Sequence, residues 1–190
     1  MAVATHVAAH GERAHPSPLR LNRIGLWLFF FSESIIFGLL LSARFFLEGI
    51  HQDHVDQVLG LWITIVLLLS SVTAFTAETA MEKGRQRLCQ WMLLATIALG
   101  LAFAGGVAYE WKTAHFSREE IFGTVFFTMT GIHASHVVSG IVFLVLAWNL
   151  ARQGRFTPQS HWGVSGTVMY WHFVDVVWVF FYPALYLVDS

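Results

Sequence analysis

The stretch VLGLWITIVLLLSSVTAFTA, residues 58–77, runs for twenty positions without an acid or a base. A helix advances by about 1.5 Å per residue and needs roughly 20 apolar residues to cross about 30 Å of hydrocarbon. A helix of that length with no charged face suits lipid rather than water. Working outward, apolar runs of similar length fill residues 24–47, 88–109, 121–150 and 164–188. The chain as a whole is 56% hydrophobic and 12% charged, against about a quarter charged in soluble domains, and its mean hydropathy is +0.59. These features predict an all-α polytopic membrane bundle of about five transmembrane helices. The connectors are too short for a second folded unit, so one domain is expected over residues 23–190. Residues 1–22, which lack the apolar core of a signal peptide, are expected to form a flexible cytoplasmic tail, with Pro16 and Pro18 holding it apart from the first helix.

Alternating the connectors across the bilayer puts Arg13, Arg20, Arg23, Lys83, Arg85, Arg87, Arg152 and Arg155 on one side. Arg44, Lys112 and Arg118 fall on the other. The positive-inside rule then predicts a cytoplasmic amino terminus and an outside carboxyl terminus. A net charge of -1 gives no sign of a nucleic-acid partner. The single Cys89 excludes an internal disulfide and any multi-cysteine metal site on this chain.

Chemistry must then come from polar residues inside the spans, where an acid or base near the bilayer centre costs roughly 2.5–3.5 kcal/mol and marks a role in function or assembly. The first span holds Glu33 in FFFSESIIFG, the fourth His133 and His136 in TGIHASHVVSG, and the fifth His172 and Asp175 in YWHFVDVVWVFF. All lie near the same depth and would form one midplane layer if the three helices are neighbours. Residues three and four apart share a helix face. His172, Asp175, Val179 and Tyr182 thus form one seam, suggesting an imidazole oriented by an acid. His133, His136 and Gly140 form another, where glycine allows close helix approach. Histidines and acids at these positions also compose a metal or haem ligand set in outline, but no further ligand recurs at fixed spacing, and interhelical hydrogen bonding leads.

Glu33, flanked by serines amid LFFF and IIFG, has three open roles: structural or lipid contact, proton handling, and a transport site. Glu78 and Glu110 lie near span ends, where solvation is expected. Trp27, Trp62, Trp91, Trp111, Trp148 and Trp162 read as an interfacial belt. His6, His10, His15, His51 and His54 read as solvated.

Taken together, these segments resemble subunit III of the haem-copper oxidases, in the short five-helix form found in bacteria, over most of residues 24–188. YWHFVDVVWVFFYPALY, with Trp171 and Trp178, is the most specific element, and TGIHASHVVSG and WLFFFSESIIFG resemble two further family segments. LLLSSVTAFTAETAMEKG and GGVAYEW, with Glu110, are similar more loosely. The resemblance implies a non-redox accessory subunit of an aa3-type cytochrome c oxidase in the bacterial cytoplasmic (inner) membrane. Such a subunit packs with subunits I and II, holds phospholipid and supports proton uptake. The complex takes electrons from cytochrome c and reduces oxygen to water. Haem and copper would reside in the partner subunits, with no metal and no catalytic residue on this chain. Glu33 matches the family's carboxylate reactive toward hydrophobic carbodiimide. His133, His136, Gly140, Trp171, His172, Asp175, Trp178 and Glu110 match positions with structural or lipid-contact roles. Longer members carry two further amino-terminal helices forming one arm of a lipid-holding cleft, so a lipid site here is expected to be shallower or completed by another subunit. The AETA around Glu78 departs from the histidines of long forms. A quinol oxidase subunit III and an accessory of nitric oxide reductase share the helix pattern. A stand-alone proton-coupled transporter using Glu33 and Asp175 is the reading from a different class.

Overall fold

The computed structural model describes residues 17–48 and 55–188. Five helices follow one another: α1 (Pro18–Glu48), α2 (Gln57–Glu82), α3 (Gln86–Thr113), α4 (Ile121–Arg152) and α5 (Trp162–Tyr182), with a π-helical turn at Pro183–Leu187. All five are long and apolar enough to cross a membrane, and among the described residues there is no strand beyond one isolated bridge between Thr157 and Ser160. The fold is the all-α polytopic bundle that the apolar runs predict.

The helix boundaries have local causes. Pro18 opens α1 at the position where a missing backbone N–H costs nothing. The helix therefore begins inside the segment expected to be tail. Residues 1–16, with His6, His10 and His15, lie outside the described residues, as do His51 and His54. Asp56 caps α2 by accepting the Leu59 N–H at 3.0 Å, satisfying one of the helix's orphan donors. At the other end of α2, Gly84 adopts φ +71°, the Gly84 N–H donates to Met81 and the Arg85 N–H to Ala80. Gly154, at φ +67°, ends α4 with the same pair of bonds, to Ala151 and Leu150. This Schellman arrangement needs a left-handed residue, which glycine adopts at no steric cost.

Helices α2 to α5 close into a ring, each packed on its sequence neighbour and α5 back on α2, while α1 lies outside against α4 and α5. Among the described side chains of α1, only Phe30, Phe37 and Arg44 are buried. They are spaced by seven and so form one ridge. Trp171 and Trp178 fill the middle of the ring, fully buried. Large apolar side chains such as Trp62, Leu69, Val72 and Phe75 stay exposed on its outside, as a lipid-facing surface requires.

Candidate functional site

Glu33 and His136 stand at the midpoints of α1 and α4, which pack together. The Glu33 Oε2 lies 3.2 Å from His136 Nε2, and both side chains are mostly shielded, at 16% and 18% exposure. His136 Nδ1 lies 2.9 Å from the Ile132 carbonyl oxygen. A carbonyl only accepts, so Nδ1 carries a hydrogen and donates. Nε2 then either accepts a proton from a neutral Glu33 or carries one toward a carboxylate. The Phe37 ring meets the imidazole edge-on, centroids 4.9 Å apart, and the Tyr170 hydroxyl donates to the His136 carbonyl at 3.2 Å. These contacts fix the ring.

His133 turns the other way. Its fully buried ring donates Nε2–H to the Val174 carbonyl of α5 at 3.1 Å, beside Trp178 and Phe103. Donation through Nε2 leaves Nδ1 as the acceptor of the neutral ring, and it has no partner among the described residues. The expected shared seam of His133 and His136 is thus split. A spacing of three turns the helix by about 60° short of a full circle, enough to send one ring into the core and the other to α1.

On α5 His172 and Asp175 stand within ion-pair range, and His172 has a closer partner as well. Ser71 of α2 takes the hydrogen bond to His172 Nδ1 at 2.7 Å, while the Asp175 carboxylate stands back at 3.9 Å. Asp175 is buried, with His172 and Ser71 as its polar neighbours and no hydrogen bond of ordinary length among the described residues. The residues expected in one layer form three separate pairings across three helix interfaces. The two signature tryptophans complete the seam with α2: Trp171 Nε1–H donates to Ser70 Oγ and Trp178 Nε1–H to Thr64 Oγ1, both at 2.9 Å. Gly140 lies against the Trp171 indole on α4, and Gly100 does so on α3.

Two expectations from position along the chain are corrected. Glu110 is not solvated at its helix end; it is 4% exposed and accepts a hydrogen bond from the Tyr186 hydroxyl at 2.7 Å. Trp111 is not simply a belt residue, since its Nε1–H donates to Thr130 Oγ1 at 3.1 Å. Arg44, within the first apolar span and counted with the basic residues of the opposite side, lies in α1 fully buried, its guanidinium 5.4 Å from the centroid of the Phe122 ring. The heptad spacing of Phe30, Phe37 and Arg44 was the available signal. Tyr170, Tyr186, Ser70 and Ser71 carried none.

Between α1 and α5 runs a groove of about 500 Å³, lined by Trp27, Phe30, Phe31, Phe173 and Val176 together with Ser34 and His172. Among the described residues no three of His, Cys, Asp and Glu gather as a metal-ligand group.

A family model for cytochrome c oxidase subunit III matches residues 3–190. The chain is 32% identical to the cytochrome c oxidase subunit 3 of Thermostichus vulcanus, over 96% of this chain and 94% of that one. It is 33% identical to a probable cytochrome c oxidase subunit 3 of Rickettsia conorii, over 94% of this chain and 72% of the relative. With the Arabidopsis thaliana cytochrome c oxidase subunit 3 it shares 34% identity, over 92% and 72%. From the full-length family match, these identities and the five spans, the chain belongs to the cytochrome c oxidase subunit III family and is a multi-pass membrane subunit of that oxidoreductase complex.

Proposed function

We propose that the chain is the non-redox accessory subunit of an aa3-type oxidase in a bacterial cytoplasmic membrane, with its amino terminus in the cytoplasm and its carboxyl terminus outside. It packs beside subunit I, holds phospholipid, and supports proton uptake while subunits I and II take electrons from cytochrome c and reduce oxygen to water. The observation that carries this reading is the 3.2 Å contact between Glu33 Oε2 and His136 Nε2 at the midpoints of α1 and α4, which can hold a proton. His136, anchored through Nδ1, keeps Nε2 aimed at the carboxyl, so the proton moves between the two atoms without a change of rotamer. Phe37 restricts water on one side of the ring.

Haem and copper belong, in this reading, to the partner subunits. It is supported by the commitment of His133 Nε2 and both His136 nitrogens to protein partners. The α1–α5 groove, apolar along its walls and open to the bilayer, suits an acyl chain of a bound phospholipid.

Glu33→Gln in the intact complex tests the proposal. The amide keeps the shape and removes the exchangeable acid. The expected outcome is unchanged haem content and a near-normal initial rate of oxygen consumption, followed by a several-fold faster decline over continued turnover. Activity as durable as that of the unaltered complex, or loss of haem, would overturn it.

A further inference from the structure

A second groove, on a different pair of helices, opens where α2 turns into α3. Phe75, Thr76, Thr79 and Leu88 line it, and Lys83 and Arg85 stand at its mouth. The threonine hydroxyls turn back to donate to their own helix, Thr76 to Val72 at 2.7 Å and Thr79 to Phe75 at 2.9 Å. The walls therefore present methyl and ring carbons. Phe75 is 61% exposed, and eight residues of helix, about 12 Å, separate it from Lys83. The groove thus runs from the charged end of the bundle into the hydrocarbon.

Lys83 and Arg85 are both exposed, and among the described residues neither side chain has an ion-pair or hydrogen-bond partner. The neighbouring Glu82 is exposed and pairs with neither. The first turn of α3 has no side-chain cap, so its N–H groups add positive potential at the same place. Two unpaired cations above an apolar furrow match an anion that carries a hydrocarbon chain. Paired cations would be already neutralised, and a wholly polar cleft would suit a free ion.

We propose that this groove binds an anionic phospholipid, its phosphate held by Lys83 and Arg85 and an acyl chain lying along Phe75 and Leu88. Each cation near a membrane surface strengthens binding of acidic lipid by roughly fivefold, so the pair is worth roughly 25-fold.

The test is native mass spectrometry of the purified oxidase complex after equilibration with mixed micelles holding phosphatidylglycerol or phosphatidylethanolamine of the same acyl chains. Lys83→Gln/Arg85→Gln is expected to weaken retention of one phosphatidylglycerol by roughly 25-fold and to leave phosphatidylethanolamine unchanged. Arg85→Gln alone, the variant to use if the double substitution lowers yield, is expected to lose about fivefold. Thr79→Phe, which fills the groove and keeps both charges, is expected to reduce retention of both lipids, an effect that binding of phosphate alone would not show. Unchanged phosphatidylglycerol retention in the charge variants would overturn the proposal. So would an equal effect on the two lipids in the double variant, or loss of another oxidase subunit with lipid retention unaltered, which would make the groove a protein interface.

Discussion

At Gly140 and Gly100 the Trp171 indole occupies the space a side chain would need: an added Cβ would fall 2.8 Å from one edge of it and 2.6 Å from the other. Between helices in lipid no hydrophobic force compensates for lost packing, so close approach is what holds them. Gly140→Ala is expected to cost about 1–3 kcal/mol, as overpacked sites do, and to lower the thermal midpoint of the detergent-purified protein. Gly38, with nothing within 4 Å of an added Cβ, is the control: Gly38→Ala is expected to be neutral or to raise the midpoint, by up to about 1 kcal/mol from helix propensity. Equal effects at the two positions would refute the packing account. Gly140 was legible beforehand, because a glycine beside polar residues in a span signals close approach. Gly100 was not, since the ring it accommodates comes from a helix 71 positions further along the chain.

Among the elements, the end of α5 departs most from a regular helix. Pro183 has no N–H to donate, and the chain widens so that the Val188 N–H reaches back five residues to the Pro183 carbonyl at 3.0 Å. That wider turn carries Tyr186 over Gly60, where an added Cβ would fall 2.5 Å from the ring, and brings its hydroxyl to Glu110. Tyr186→Phe is expected to cost about 1–3 kcal/mol, because it leaves a buried carboxyl without its donor. If the turn sets the position of Tyr186, the same substitution in a Pro183→Ala background should cost much less, and a double-mutant cycle by thermal unfolding reads the coupling. Additive effects would show that the π turn is incidental. A proline near a span end is visible in any sequence, but the direction in which it turns the next side chain is not.

Across the molecule, α1 is the least integrated helix, held by one ridge of Phe30, Phe37 and Arg44 and by the Glu33–His136 bond. Phe37 touches His136, Phe173 and Phe181 and so joins α1 to both α4 and α5. Phe37→Ala is expected to loosen α1 before the four-helix ring. A crosslink between cysteines placed at Phe29 of α1 and Tyr170 of α5, whose rings lie 6.0 Å apart, introduced in a background with Cys89→Ser, should then form several-fold less efficiently while the ring's thermal midpoint moves by only a few degrees. Simultaneous loss of both would mean that α1 is part of the cooperative core.

The sequence by itself determined the solvent and the five helices, because these depend on hydropathy, helix rise and turn chemistry, which are local. It also supplied the residues of the site: Glu33, His136, His172 and Asp175 stand out as costly groups in hydrocarbon whatever surrounds them. The tertiary structure decided who pairs with whom. Two polar groups at one depth meet only if the rotation of each helix about its axis aims them together, and that rotation is set by packing at positions far apart in the chain. Hence His136 finds Glu33 while His133, one turn away, enters the core. For the same reason Ser71 rather than Asp175 takes the bond to His172, and Glu110, near a helix end, is buried under a tyrosine delivered by another helix.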